Sequence, residues 1–127
     1  MNKQEVFDKV ARHLLEQGEP CLDRDGRFQT ICKYRNSAGQ KCAVGCLITN
    51  EAYDPDIEGR GVQTPEVCAA LVKSGIDVFT VEDRFIQSGM NMLRELQNMH
   101  DNCSSYDWKN QLMRIAALHD VNFPEDL

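Results

Sequence analysis

The sequence predicts an α+β fold: a mainly helical single domain of about four helices plus a short helical turn, with one small β-hairpin after the first helix. Three observations predict it. Four stretches repeat apolar residues every three to four positions, as one face of a helix does. The stretch near residues 27–35 alternates with a period of two, as a half-buried strand does. From Ile31 to Tyr53 runs a segment with three of the six cysteines and the densest apolar run, CAVGCLI, around which the rest is arranged. A chain of 127 residues buries roughly two-thirds of its unfolded surface, so that run has a core to enter without disulfide staples, and residues 1–127 fit one domain.

In chain order, Val6, Phe7, Val10, Ala11, Leu14 and Leu15 mark a core-facing helix from Lys3 to Gln17, with Gly18 as its terminator. Asp25-Gly26 signals a turn, and Phe28, Thr30, Cys32 and Tyr34 alternate with more polar residues, predicting a strand over Arg27–Arg35 with Ile31 on its polar side. Asn36-Ser37-Ala38-Gly39 reverses the chain before Gln40. CAVGCLI suits either a buried strand or helical turns; the favoured reading is a brief return strand or turn entering a short helix over Cys42–Asn50. Residues 51–63 form a loop, of a length that is often functional. Thr64-Pro65-Glu66 then opens a helix to about Ser74, closed by Gly75. Thr80 with Asp83 has capping-box form ahead of the longest helix, which carries Met92, Leu93, Leu96 and Met99 and ends near His100. Ser104 with Asp107 repeats the pattern before a last helix bearing Trp108, Leu112, Ile115, Ala116 and His119, and a short tail docks through Phe123.

Charge narrows the function classes. With 20 acidic against 14 basic residues, the net charge of −6 opposes the counterion release that drives nucleic-acid binding. No apolar window approaches the ~20 residues of a membrane span, and the first fifteen residues alternate charged and apolar positions where a signal peptide would build an apolar core. The expectation is a cytoplasmic protein with reduced cysteines, no membrane contact and no direct nucleic-acid contact.

Several motifs carry possible chemistry, each beside a plainer reading. Cys42 and Cys46 lie four apart and share a helical face, and Cys32, Cys103 or His100 would complete a tetrahedral zinc set; no paired C-x2-C knuckle supports it, and buried packing is the default for such cysteines. A helix starting near Lys41 would favour a Cys42 thiolate, yet none of His13, His100 and His119 is linked to it as a base. Asp54-x-Asp56-x-Glu58-Gly59 copies the opening of a calcium loop, but Pro65 stands where its closing acid belongs; Asp23-x-Asp25-Gly26 reads as turn chemistry. Met92 and Met99 belong to the core stripe, leaving Met90 as the methionine to expect at the surface.

The stretch YRNSAGQKCAVGCLITNEAYDPDIEG resembles a group of short bacteriophage proteins sharing Y-R, turn residues, G-x-K-C-A-V-G-C-L-I, then Y and a later E-G. The matching residues are Tyr34, Arg35, Gly39, Lys41, Cys42 through Ile48, Tyr53, Glu58 and Gly59, with Thr49-Asn50 departing from the group's proline and acid. The group has no settled activity, so the resemblance implies context only: a small phage-type accessory protein inside a host cell. The resulting expectation is a noncatalytic protein, without cofactor, that binds a host protein or sequesters a small anionic ligand. Arg35, Lys41 and Arg60 would supply charge and Tyr34 and Tyr53 apolar area, against the reading that these side chains merely cover the hairpin. The alternatives are a thiol- or zinc-dependent enzyme centred on Cys42 and Cys46, with Cys32 and Cys103 as further ligands, and an acidic inhibitor of a nucleic-acid-binding partner.

Overall fold

The structure is a computed structural model that describes residues 1–24, 30–76 and 87–127. Helix α1 spans Lys3–Gln17. Its start is fixed by a reciprocal cap in which the Asn2 side chain accepts from the Glu5 amide and the Glu5 carboxylate accepts from the Asn2 amide. Its end is fixed by Gly18, left-handed at φ 71°, whose amide donates to the Leu14 carbonyl. Val6, Phe7, Val10, Ala11 and Leu14 are buried, the face that the sequence predicts.

Strands β1 (Leu22–Arg24) and β2 (Thr30–Cys32) pair antiparallel, with Leu22 opposite Cys32 and Arg24 opposite Thr30. The hairpin therefore follows α1 as expected, but its boundaries need correction. Of the strand predicted over Arg27–Arg35, Thr30–Cys32 is strand and 33–35 is not, while the predicted Asp25-Gly26 turn and residues 27–29 lie outside the described residues; the partner lies before it, not after it. The physical reason is visible at Tyr34 and Arg35: both amides donate to the Glu58 carboxylate, at 2.8 and 3.1 Å, so no strand can continue along that edge. The turn at Asn36–Gly39 does reverse the chain, closing an isolated bridge between Arg35 and Lys41. Asn36 builds that turn by accepting from the Ala38 and Gln40 amides. Ile31 is exposed, as its place in the alternation requires, but so is Cys32, although its thiol lies beside His100 and Asp101.

The CAVGCLI run becomes neither a return strand nor a helix to Asn50. It holds only one 3-10 turn, Gly45–Leu47, while every residue from Cys42 to Ile48 is buried. Loop residues 51–63 contain a further 3-10 turn at Pro55–Ile57. Helix α2 spans Pro65–Lys73 with proline in its first turn, and Ser74 and Gly75 close it. Helix α3 is described over Gln87–Asn102, two residues beyond the predicted end; the predicted cap at Thr80 and Asp83 lies outside the described residues. Ser104 accepts from the Tyr106 amide and starts a 3-10 turn, Ser105–Asp107, that leads into α4, Trp108–Leu118.

The core joins α1, α3 and α4 around the buried run. Met92, Leu93 and Leu96 of α3 and Trp108, Leu112 and Ile115 of α4 are fully buried. The tail docks as expected: Phe123 meets Phe7 edge-on, with ring centroids 6.5 Å apart. Met90 is half-buried against the core. None of the helices among the described residues is long and apolar enough to cross a membrane.

Candidate functional site

Four of the five expected binding residues meet around a residue outside that set, Glu58. One carboxylate oxygen accepts from the Tyr34 amide; the other accepts from the Arg35 amide and, at 2.6 Å, from the Tyr53 hydroxyl. The Tyr34 hydroxyl donates to the Arg60 carbonyl at 2.6 Å. Arg35 lays its guanidinium over the Tyr53 ring, 4.5 Å from the centroid, and donates to Asn50 and to the Ile48 carbonyl. Burial, with the Glu58 hydrogen bond next, holds the Tyr53 hydroxyl well above the usual phenol range. Glu58 is thus a carboxylate clamp, tying the loop after residue 50 to the end of the hairpin. Lys41 stands apart, its backbone held by His13 and Gln17 of α1.

Cys21, Cys32, Cys42 and Cys46 sit in surroundings that disfavour the thiolate. Cys42 is fully buried, its sulfur accepts from the Gly45 amide, and burial pushes the thiol well above its ordinary value. Cys46 donates to the Ala43 carbonyl and is pushed up to about 12, and Cys21 donates to the Gln40 carbonyl and is likewise pushed up to about 12, both by burial. Exposed Cys32 is raised to about 11 by partial burial and by the neighbouring Asp101 carboxylate.

The zinc set of Cys32, Cys42, Cys46 and Cys103 is not brought together. Among the described residues the one convergence of possible ligands is Cys32, His100 and Asp101, with ligand atoms within 4.8 Å of one another. His100 argues against a metal there. Its Nε2 accepts from the Cys21 amide at 2.9 Å, so the ring proton sits on Nδ1, where it faces Asp101 at 2.8 Å. The nitrogen nearest the other ligands therefore carries a proton. Stacked on Trp108 at 5.5 Å, the ring works as a buried connector. His119 bonds Glu95 at 2.9 Å, and neither it nor His13, which bonds the Lys41 carbonyl, is placed as a partner for Cys42. The acids of the calcium-like loop also part: Asp54 caps the Asp56 amide, whereas Glu58 turns inward.

What stands open is a polar groove between residues 58–63 and α3. Its larger section, about 500 Å³, is lined by Gln63, Asn91, Arg94, Glu95 and Asn98. A smaller section of about 260 Å³ reaches Cys32, Lys33 and Arg60, and Val62, Gln97 and Asp101 line both. Gln97 anchors the floor: its carbonyl accepts from the Val44 amide at 3.0 Å and its amide donates to Asp101 at 2.9 Å. The α3 wall has no local motif. The only trace in the sequence is the polar side of the helix, with Asn91, Arg94 and Asn98 at helical spacing, a pattern shared by any solvated face. Comparison with protein families, with characterised proteins and with solved structures finds no match to this chain.

Proposed function

We propose that the chain is a noncatalytic binding protein, a phage-type accessory protein of the host cytoplasm, that engages a host protein or an anionic ligand through the groove along α3. The observation that carries this reading is a contrast. The buried thiols and the histidines are engaged within the fold, while the groove presents polar side chains to solvent in a space of ligand size. Arg35 and Tyr53 fix the loop through Glu58, and Tyr34, Glu58 and Arg60 line the smaller section of the groove. The phage context rests on the resemblance in residues 34–59.

The test is native mass spectrometry of gently purified protein, beside a pH series of thiol alkylation. The expected outcome is a retained protein or anionic ligand that is lost in Asn98→Trp, which fills the groove, with no zinc. At Cys32 about one thiol in a thousand is ionised at pH 8, so its alkylation rises tenfold per pH unit through pH 9. Stoichiometric zinc, or a thiol whose alkylation levels off below pH 8, overturns the noncatalytic reading.

A further inference from the structure

We infer that the occupant of the groove is an extended acidic segment of a partner protein, an inference that rests on the groove being the binding site. By formal charge the lining is balanced, but its charges are not equally available. Glu58 is held by two amides and a hydroxyl, Glu95 by His119, and Asp101 by His100 and Gln97. Arg94 and Lys33, in contrast, have no side-chain hydrogen bond or ion pair among the described residues. Glu58 is fully taken up and Glu95 and Asp101, though partly exposed, are each partly taken up, whereas the Arg94 and Lys33 side chains are unengaged among the described residues, so the hydrogen bonds still on offer are mainly donors. Carboxylates complement them, and a guanidinium can take one in two parallel bonds.

Shape selects a chain over a single small anion. The two sections adjoin along Val62, Gln97 and Asp101, so one occupant can run from Arg94 to Lys33. Gln63, Asn91 and Asn98 along the way each carry an amide, which offers the donor and acceptor that a peptide group also offers. The net charge of −6 acts against this at long range, but screening beyond about 8 Å at physiological salt leaves the local cations in control.

Four probes decide it, followed through the Gln97 and Asn98 amide signals by NMR titration of the whole chain: octapeptides of alternating glycine with glutamate, lysine or serine, and inorganic phosphate. The glutamate peptide is expected to move these signals and to bind about tenfold more tightly than the lysine peptide, with about tenfold loss in Arg94→Glu and in Lys33→Glu. Arg94→Gln, which removes charge without reversing it, should show a smaller loss with an unchanged spectrum elsewhere. Equal binding of the serine or lysine peptide leaves the groove as the site and overturns the acidic class. Phosphate binding as tightly as the glutamate peptide overturns the extended segment. If no probe moves the signals, the groove reading falls as well.

Discussion

Glu58 shows how one side chain can set the path of a loop. A carboxylate has only acceptors, and here a half-buried one meets three donors, so it satisfies two backbone amides that would otherwise lack a partner. Glu58→Gln keeps the shape but must turn an NH2 toward at least one donor, and is expected to cost about 2–3 kcal/mol in urea unfolding. Tyr53→Phe removes one bond to an ionised group and should cost about 1.5 kcal/mol. Because both changes act on the same carboxylate, the double variant should lose less than the sum of the two. In the sequence Glu58 stood out only as part of a calcium-like spacing and of the E-G in the phage-type motif. Neither signal could reveal its role, because two of its three partners lie 23 and 24 residues away. The tyrosines and arginines were legible as a cluster; that their polar ends bond Glu58, Asn50 and backbone carbonyls was not, since composition carries no orientation.

At the scale of the element, the run from Cys42 to Ile48 is the informative case. It is apolar enough to be buried, and the sequence marks it so, but periodicity could not choose between strand and helix because the segment is neither. Its backbone is accommodated piecemeal: the Val44 amide by Gln97, the Gly45 amide by the Cys42 sulfur, the Ile48 carbonyl by Arg35. Gly45 is required by a close approach, since a Cβ there would collide with the Tyr34 carbonyl oxygen. Gly45→Ala should therefore destabilise the protein by about 3 kcal/mol or more, measured as a lower urea midpoint. The glycine in the middle of the motif is a packing requirement, invisible until the backbone at Tyr34 is in place.

Over the whole molecule, what the sequence predicted best are the helices, because four apolar faces, the caps at Asn2 and Ser104 and the proline opening α2 leave few alternatives. The hairpin follows α1 as predicted, but its pairing partner was not legible, because alternation identifies a strand but not its partner. The tail closes onto α1 through Phe123 on Phe7 and through Arg12, which bonds Asp126 at 2.6 and 3.2 Å. The Arg12 guanidinium holds the Asp126 carboxyl below its ordinary value, so this contribution is present above the usual carboxylate range and is lost as pH falls through the folded-state value. Acid titration of stability should show Arg12→Ala and wild type converging once the pH has fallen below the lowered folded-state value of Asp126. The pair is exposed, so added salt should shrink the difference.

The way the central run is held also bears on how the chain reaches its native state. Val44 depends on a glutamine 53 positions later, and Ile48 on an arginine 13 positions earlier, so the segment gains its partners only when distant parts of the polypeptide have assembled. Such a segment condenses late, after the rate-limiting barrier, and small changes in it should speed unfolding while leaving the folding rate nearly unchanged. Deuterium would then enter the Val44 amide only through global opening, at the rate of the slowest-exchanging sites in α1.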